Sequence, residues 1–364
     1  MATFIPFLGG DTVDSIERVF ASAWSSGPAS NNDLGTSHFS SSDQYVTDSP
    51  SSSGAFFMEI YDKAPTGTSA DTTAEVQYSI AFGNKNGSGS LDFATGTGAS
   101  GFSAAKSVYT QYRNLVYGGD ETQNFSFDGH IPNSIYVINI NRARYKSALR
   151  LGNLKLVLSG SAPEQPLFLT DDSVTTSGSA NALRPGVGRE FNLVSGSNGV
   201  RLGSSNTYVT NSGSYGLVYP DAGLIILNAD ALDHSGSLAS LAGGAGGINL
   251  ETSQSNNSIG DNNFLLRQAI VRGGSFILDS QEDISSVFYF CRVRNSEFNY
   301  STNDSFTDSN GNLTFDSMIN NPKVYITTVG LYNDNQDLLA VTKLSQPLPK
   351  DFTKEALIKV KLDY

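Results

Sequence analysis

Short runs of apolar and β-branched residues dominate the pattern along this chain. Typical runs are AFFMEIYDK, AEVQYSIAFG, SIYVINI and NLKLVLSG, each bounded by glycine, proline, serine or asparagine. Runs of this length between turn-forming residues are typical of β-strands. In YGLVYPDAGLIILN, the segment from Pro220 to Gly223 separates two such runs. It predicts a tight turn, because proline presets φ and glycine accepts a positive φ.

Three segments instead show apolar residues at helical spacing. They are 11–24 (DTVDSIERVFASAW), 103–119 (SAAKSVYTQYRNLVYGG) and 261–274 (DNNFLLRQAIVRGG). Paired glycines at the ends of the last two are typical of helix termini. Strands outnumber helices and do not alternate with them, so we predict a mainly β (α+β) fold. We expect antiparallel sheets in β-sandwich-like units, with two or three short helices.

The C-terminal region predicts a three-stranded unit. Two arms, VYITTVGLY and LLAVTKLSQPL, flank the polar segment NDNQD, which we interpret as a hairpin turn. Both faces of the first arm carry apolar groups, so we expect both to be covered. A third arm, EALIKVKLDY, alternates apolar and charged residues as a half-buried strand does. Asp334 and Asp337 are interpreted as turn carboxylates.

These elements predict three parts and a connection. Residues 1–53 form an N-terminal helix and an extended arm, because the stretch after Trp24 contains almost no apolar side chains and cannot form a core. Residues 54–235 form a β-rich domain with one amphipathic helix. Residues 235–263 are a loop or linker, and 264–364 form a C-terminal β domain ending in the three-stranded unit.

The net negative charge of the chain makes nucleic acid and anionic lipid unfavourable partners. The chain of 364 residues has a formal net charge of -12 and a pI near 4.6, which opposes binding to nucleic acid or anionic lipid. We therefore expect no nucleic-acid partner. The sequence also contains no apolar run of membrane-spanning length, so no membrane insertion is expected. The N-terminus lacks the basic start and apolar run of a secretory signal, which favours folding in a cytoplasm.

Few residues offer catalytic or metal-binding chemistry. Cys291 is the single cysteine, and we interpret it as a small apolar residue in a strand, with a reactive thiol as the alternative. Asp308, Asn310 and Asn312 have the spacing of a calcium loop, but the glycine is misplaced, so a turn at Asn310-Gly311 is the favoured interpretation. We assign no catalytic residue, no metal and no cofactor, and predict that the chain is not an enzyme.

Several segments carry a resemblance to a known family. They are QYSIAFGNKNGSGS, YTQYRNLVYGGDETQNFSFDG, SIYVININRARYKSALRLGNLKLVLSG, YGLVYPDAGLIILNADALD and the final YITTVGLYNDNQDLLAVTKLSQPLPKDFTKEALIKVKLDY. They resemble a virion structural protein of T-even-like cyanophages and related contractile-tailed phages, over most of 54–364. The close of the chain is also similar to that of a baseplate wedge protein that forms dimers.

The resemblance implies a structural component of a contractile phage tail, most simply a baseplate wedge subunit. It implies location in the virion after assembly in the host cytoplasm. The implied partners are further copies of the chain, as a homo-oligomer such as a dimer, and other tail or baseplate proteins. The alternatives are a receptor- or glycan-binding protein or a tail-fibre attachment protein and, third, a glycan hydrolase. As a possible assembly interface we select Trp24, Phe56, Phe57, Tyr325, Tyr332 and Leu338.

Overall fold

The computed structural model confirms a mainly β fold built from antiparallel strands with few helices. It describes residues 4–25, 38–39, 45–46, 57–65, 71–86, 105–120, 122–159, 166–202, 209–210, 213–233, 259–301 and 304–364. The chain divides into two compact units. The terminal unit comprises 1–18 and 283–364, and the central unit comprises 19–282.

The central unit contains one large sheet of thirteen described strands, in which every pairing is antiparallel. In spatial order its path runs β2 (His38–Phe39), β17 (Phe276–Ile277), β8 (Lys155–Leu158), β9 (Leu167–Asp171), β11 (Gly188–Ser197), β15 (Gly216–Tyr219), β16 (Leu224–Asn228), β6 (Ser134–Ile140), β5 (Val76–Asn84), β4 (Phe57–Tyr61) and β3 (Tyr45–Val46). β10 (Ala182–Arg184) and β12 (Val200–Arg201) pair with β11, and β13 (Val209–Thr210) pairs with β14 (Gly213–Ser214).

Both faces of this sheet are covered. In β16, Ile225 and Leu227 belong to one buried cluster, whereas Leu224 and Ile226 belong to a second cluster on the opposite face. Helix α1 (Ala105–Tyr117) contributes to the second cluster, and α3 (Ile259–Gly273) contributes to the first. A strand buried on two sides requires apolar residues at successive positions, which explains the continuous run LIILN.

Local signals decide several of these elements as predicted. Gly223 adopts a φ of +66° in the turn between β15 and β16, and the main-chain N–H of Ala222 donates to the carbonyl of Tyr219 at 3.3 Å. Helix α1 ends where Gly118, with a φ of +76°, donates to the carbonyl of Asn114. A short α2 (Ala229–Asp233) follows β16. Among the described helices, none is long and apolar enough to cross a membrane.

The predicted helix over 11–24 is wrong, because Thr12–Ser22 forms strand β1. Its main chain bonds to β18 (Asp279–Val293) near both ends: Phe290 donates to the carbonyl of Asp11 and Ala23 donates to that of Leu278. Val13, Ile16 and Val19 fit helical spacing, but β-branched residues also suit a strand. The partner strand, which lies far away in sequence, resolves this ambiguity.

The terminal unit consists of two layers. One layer is β21 (Ala356–Asp363) with the parts of β1 and β18 that belong to this unit, 12–18 and 283–293, and the other is the hairpin of β19 (Val324–Tyr332) and β20 (Leu338–Lys350). Within the central unit, β7 (Ala148–Leu149) also pairs with β18. Leu331, Ile358 and Val360 form the small core between the two layers. α4 (Ser317–Asn320) precedes the hairpin.

The predicted three-stranded unit is wrong in its pairing. β21 pairs with β18, from Ser286↔Asp363 to Val293↔Ala356, whereas β19 and β20 pair with each other. After β20 the chain turns at Asp351, whose carboxylate accepts hydrogen bonds from the Thr353 main-chain N–H and hydroxyl. This turn returns the last strand to the other layer.

The contacts also divide the chain differently from the predicted domains. Residues 264–282 belong to the central unit, because Leu266, Ala269 and Ile270 of α3 are fully buried in its core. The N-terminal part predicted as 1–53 is divided between the units, since β1 pairs with β18 while β2 and β3 join the large sheet. Long-range strand pairing, which the sequence pattern does not encode, sets these boundaries.

Replacing Gly273 with alanine is expected to lower the free energy of unfolding by about 2 kcal/mol, as overpacking does. A Cβ at Gly273 would collide with the main-chain carbonyl of Val157, and this backbone cannot rotate away. Urea unfolding monitored by circular dichroism measures the effect. Gly119→Ala is the matched control, because a Cβ there meets no atom within 4 Å. Equal effects of the two substitutions would contradict the close approach.

Candidate functional site

Exposed apolar side chains concentrate in the terminal unit. Of the twenty-eight large apolar side chains that are exposed among the described residues, eighteen lie in this unit, which contributes less than a third of the chain. The hydrophobic cluster of this unit is correspondingly small, since Leu331, Ile358 and Val360 are its only buried members among the described residues. A soluble monomer rarely leaves large contiguous apolar areas uncovered. The surface of this unit is therefore the first place to look for function.

The hairpin β19–β20 has one covered face and one exposed face. Its turn is held by Asn333 and Asp337: the Asp337 N–H donates to the Asn333 side chain at 2.7 Å, and the Asn333 amide donates to the Asp337 carboxylate at 3.1 Å. A register irregularity between Ile326 and Thr328 changes the alternation, so that Ile326, Val329 and Leu331 all face the small core. Within this chain only one face of the arm is covered, and coverage of the other face stays a prediction about partners.

The opposite face of the hairpin, which we call the hairpin face, carries Tyr325, Gly330, Tyr332, Leu338 and Val341. The four side chains are 63%, 44%, 52% and 55% exposed, respectively. Tyr332 and Leu338 lie over Gly330, where an added Cβ would approach them to 2.9 and 3.2 Å. The ring of Phe4 meets that of Tyr332 edge-on, with centroids 4.9 Å apart. Large aromatic and aliphatic side chains of this kind are typical of a protein–protein interface core.

The six residues predicted as an interface do not lie on one surface of the structure. Tyr332 and Leu338 are paired at the turn end of the hairpin face, and Tyr325 lies on the same face at its other end, opposite Pro349. Phe57 is 53% exposed on β4 of the central unit, and Phe56 lies outside the described residues. Trp24 is 4% exposed, so its assignment to a surface is wrong. Its indole N–H donates to the carbonyl of Phe276 at 3.0 Å inside the central core.

The sequence interpretation missed the exposure of β1. All eleven residues of this strand are exposed, including the large apolar side chains of Val13, Ile16, Val19 and Phe20. Their helical spacing predicts a helix, whereas the structure places them on a strand at the edge of a sheet. The useful signal was the β-branched content of the segment, rather than the spacing of its apolar positions.

A polar cavity of about 200 Å³ lies in the central unit. Its central carboxylate is that of Asp172, which accepts hydrogen bonds from the main-chain N–H and side-chain amide of Asn192, both at 3.0 Å, and from the Asn181 amide at 3.3 Å. A carboxylate satisfied by three donors of the protein itself is held in place as a loop anchor. The remaining lining residues are Asp128, Thr175, Thr176, Val194, Arg201 and Ser214.

A buried charged cluster lies on β11 and its neighbours. Glu190 accepts two hydrogen bonds from the Arg184 guanidinium, at 2.8 and 3.0 Å, and a third from the Tyr219 hydroxyl at 2.8 Å. Burial and the nearby charge of Glu190 raise the pKa of Tyr117 to about 12, and burial also raises the pKa of Tyr219. Both phenols therefore stay protonated at neutral pH, and the cluster acts as a cross-link between strands.

The contacts of Asp308, considered for metal binding, and of Cys291, considered as a reactive thiol, are those of a turn residue and of a residue beside the core. The Asp308 carboxylate accepts from the main-chain N–H groups of Asn310 and Asn312, and Gly311 adopts a φ of +84°, which confirms the predicted turn. These hydrogen bonds lower the pKa of Asp308. Cys291 is half-buried beside the small core, and burial raises the pKa of its thiol. Across the described part of the chain, no group of three or more ligating side chains could hold a metal.

Comparison of the chain with protein-family models, with curated proteins and with solved structures finds no match.

Proposed function

We propose that this chain is a structural component of a contractile phage tail, a baseplate wedge subunit that acts through protein–protein interfaces. The observation that carries the proposal is the concentration of large exposed apolar side chains on the terminal unit, the hairpin face among them. The sequence resemblance to virion proteins of contractile-tailed phages supplies the setting. The partners are further copies of the chain and neighbouring tail or baseplate proteins.

The energetics favour burial of the hairpin face in an assembly. Full burial of one large apolar side chain contributes about 1.5–3 kcal/mol relative to exposure. Tyr325, Tyr332, Leu338 and Val341 could therefore contribute several kcal/mol to an interface before the entropy of association is subtracted. The nearby charges, such as Lys343 opposite Thr328, are few, which suits a broad interface of apolar and polar contacts.

The charged groups of the central unit support a structural role as well. Asp172 and Glu190 each accept three hydrogen bonds from groups of the protein itself, and Asp221 is bound to Arg189 at 2.6 Å. An acid or base that acts on a substrate needs an oxygen available to the substrate's proton. These carboxylates instead join loops and strands. We therefore propose that the chain assembles and does not catalyse.

Serine substitution of Tyr325, Tyr332 and Val341 together is expected to abolish incorporation of the chain into tail particles. The fold should survive, because exposed side chains contribute little to stability, within about 0.5 kcal/mol each. Incorporation is measured by supplying tagged chain in infected cells and quantifying it by mass spectrometry in purified particles. Circular dichroism and urea unfolding of the purified variant check that it is folded.

The matched control replaces three exposed apolar residues of the central unit, Leu183, Val200 and Leu202, with serine. This control should be incorporated like the unmodified chain. Absence of the unmodified chain from purified particles would overturn the proposed function. Binding of the purified chain to host-surface glycans, lost when Tyr325 and Tyr332 are replaced, would favour the receptor-binding alternative instead.

A further inference from the structure

Strand β1 forms an open edge of the three-stranded layer. It spans eleven exposed residues, and among the described strands only β18 pairs with it. Natural proteins usually protect such an edge with charged side chains, above all lysine, or with proline, a bulge or a very short strand. The segment TVDSIERVFAS is long and contains neither lysine nor proline, and its three charged residues, Asp14, Glu17 and Arg18, include both signs. A long open edge whose charges can pair with opposite charges is a template for another strand.

The hydrogen bonds to β18 determine which residues of β1 present main-chain groups at the open edge. Phe290 donates to the carbonyl of Asp11, and Ala23 donates to the carbonyl of Leu278. The same number of residues separates these bonds on both strands, so the register is kept along β1. The main-chain N–H and C=O groups of the odd-numbered residues of β1 therefore point toward β18. The N–H and C=O groups of Asp14, Ile16 and Arg18 consequently point away from β18.

The sequence of β1 is self-complementary about Ile16. If a second β1 is laid antiparallel with Ile16 opposite Ile16, then Asp14 lies opposite Arg18 and Val13 lies opposite Val19, each twice. Ser15 lies opposite Glu17, and no charge meets a like charge. Opposite charges and β-branched pairs directly across a sheet are stabilising. In this register the outward-facing even-numbered residues also meet one another as hydrogen-bonded pairs, which makes about ten new backbone bonds available.

We infer that β1 is a self-association site, at which a second copy of this chain pairs antiparallel through a twofold axis at Ile16, so that the sheets containing β1 in the two copies become one continuous sheet. The inference rests on the proposed assembly function for its setting and names one of its partners. An edge contact of this kind is isologous and closes after two copies. The Arg18 guanidinium lies 3.6 Å from the carboxylate of Asp283 in its own chain. It has five N–H donors, which is enough to contact the Asp14 carboxylate of the second copy as well.

Charge substitution tests both the partner and the register. Asp14→Arg places arginine opposite arginine, and Arg18→Asp places aspartate opposite aspartate, so each variant alone should dimerise at least about tenfold more weakly. Mixed together, the two variants should form a heterodimer, because both cross-pairs are then opposite in charge. Sedimentation equilibrium and native mass spectrometry of the purified chains measure the dimer. Circular dichroism confirms folding, which exposed charge changes should barely affect.

A second variant tests the main-chain bonds. Ile16→Pro removes an N–H that points to the open edge, so the pairing with β18 should remain while dimerisation is lost. Ile16→Thr keeps this N–H and the β-branched shape, and should still dimerise. A monomeric unmodified chain, dimers of both single charge variants, or failure of the mixture to associate would each overturn the inference. These results concern the purified chain alone, so they are separable from the test of incorporation into particles.

Discussion

Replacing Trp24 with alanine is expected to lower the free energy of unfolding by about 3–5 kcal/mol, the range for removing a buried aromatic side chain. Trp24 is 4% exposed, and its ring packs against Tyr78 and Phe276, with centroids 5.8 and 5.0 Å away. The substitution leaves a cavity between these rings and removes the donor to the Phe276 carbonyl. Urea unfolding followed by far-ultraviolet circular dichroism measures the loss, since the variant has no tryptophan fluorescence.

Two control variants show whether Trp24 acts by being buried in the core or by contacting a partner at a surface. Trp24→Phe keeps an apolar ring but removes the indole N–H, so it should be less destabilising than alanine. Tyr325→Ala on the hairpin face should change stability by less than about 0.5 kcal/mol. A stable Trp24→Ala variant that fails only in assembly would show that the tryptophan acts at a surface, contrary to its position in the core.

Replacing Glu190 with alanine is expected to lower the free energy of unfolding by about 3 kcal/mol. The substitution leaves the Arg184 guanidinium and the buried Tyr219 hydroxyl without their shared acceptor. Removing one partner of a buried ion pair typically costs about 3–5 kcal/mol, and the partial exposure of Arg184, 29% of its side chain, places this case at the lower end. Chemical denaturation of the variant and the unmodified chain provides the comparison.

A double-mutant cycle shows whether the ion pair between Glu190 and Arg184 accounts for the loss of stability. Arg184→Ala removes the charge that Glu190→Ala leaves uncompensated, so the double variant should be less destabilised than the sum of the single variants. Glu190→Gln preserves shape and one acceptor oxygen, and should be less destabilising than alanine. Strict additivity of Glu190→Ala and Arg184→Ala would contradict the coupling seen in the structure.

Local signals in the sequence were sufficient for much of the central unit. The turn at Pro220–Gly223 was predictable because proline presets φ and glycine accepts a positive φ. The helix ending at Gly118 was predictable from its apolar stripe and its paired glycines. Short β-rich runs between turn-forming residues predicted strands, and the run in β16 is continuous because both faces of that strand are covered. The sequence also placed Tyr325, Tyr332 and Leu338 in one candidate interface, and all three are exposed on the hairpin face.

By itself, then, the sequence determined the mainly β class, the turns, two helices and the low content of charge, because each depends on residues close together in the chain. Only the tertiary structure decided that Trp24 is buried, that Thr12–Ser22 is a strand, and that β21 pairs with β18 instead of β20. The physical reason is that a β-strand bonds to partners far away along the chain. Which edge remains open, and which apolar face remains uncovered, depends on pairings that local propensity cannot encode.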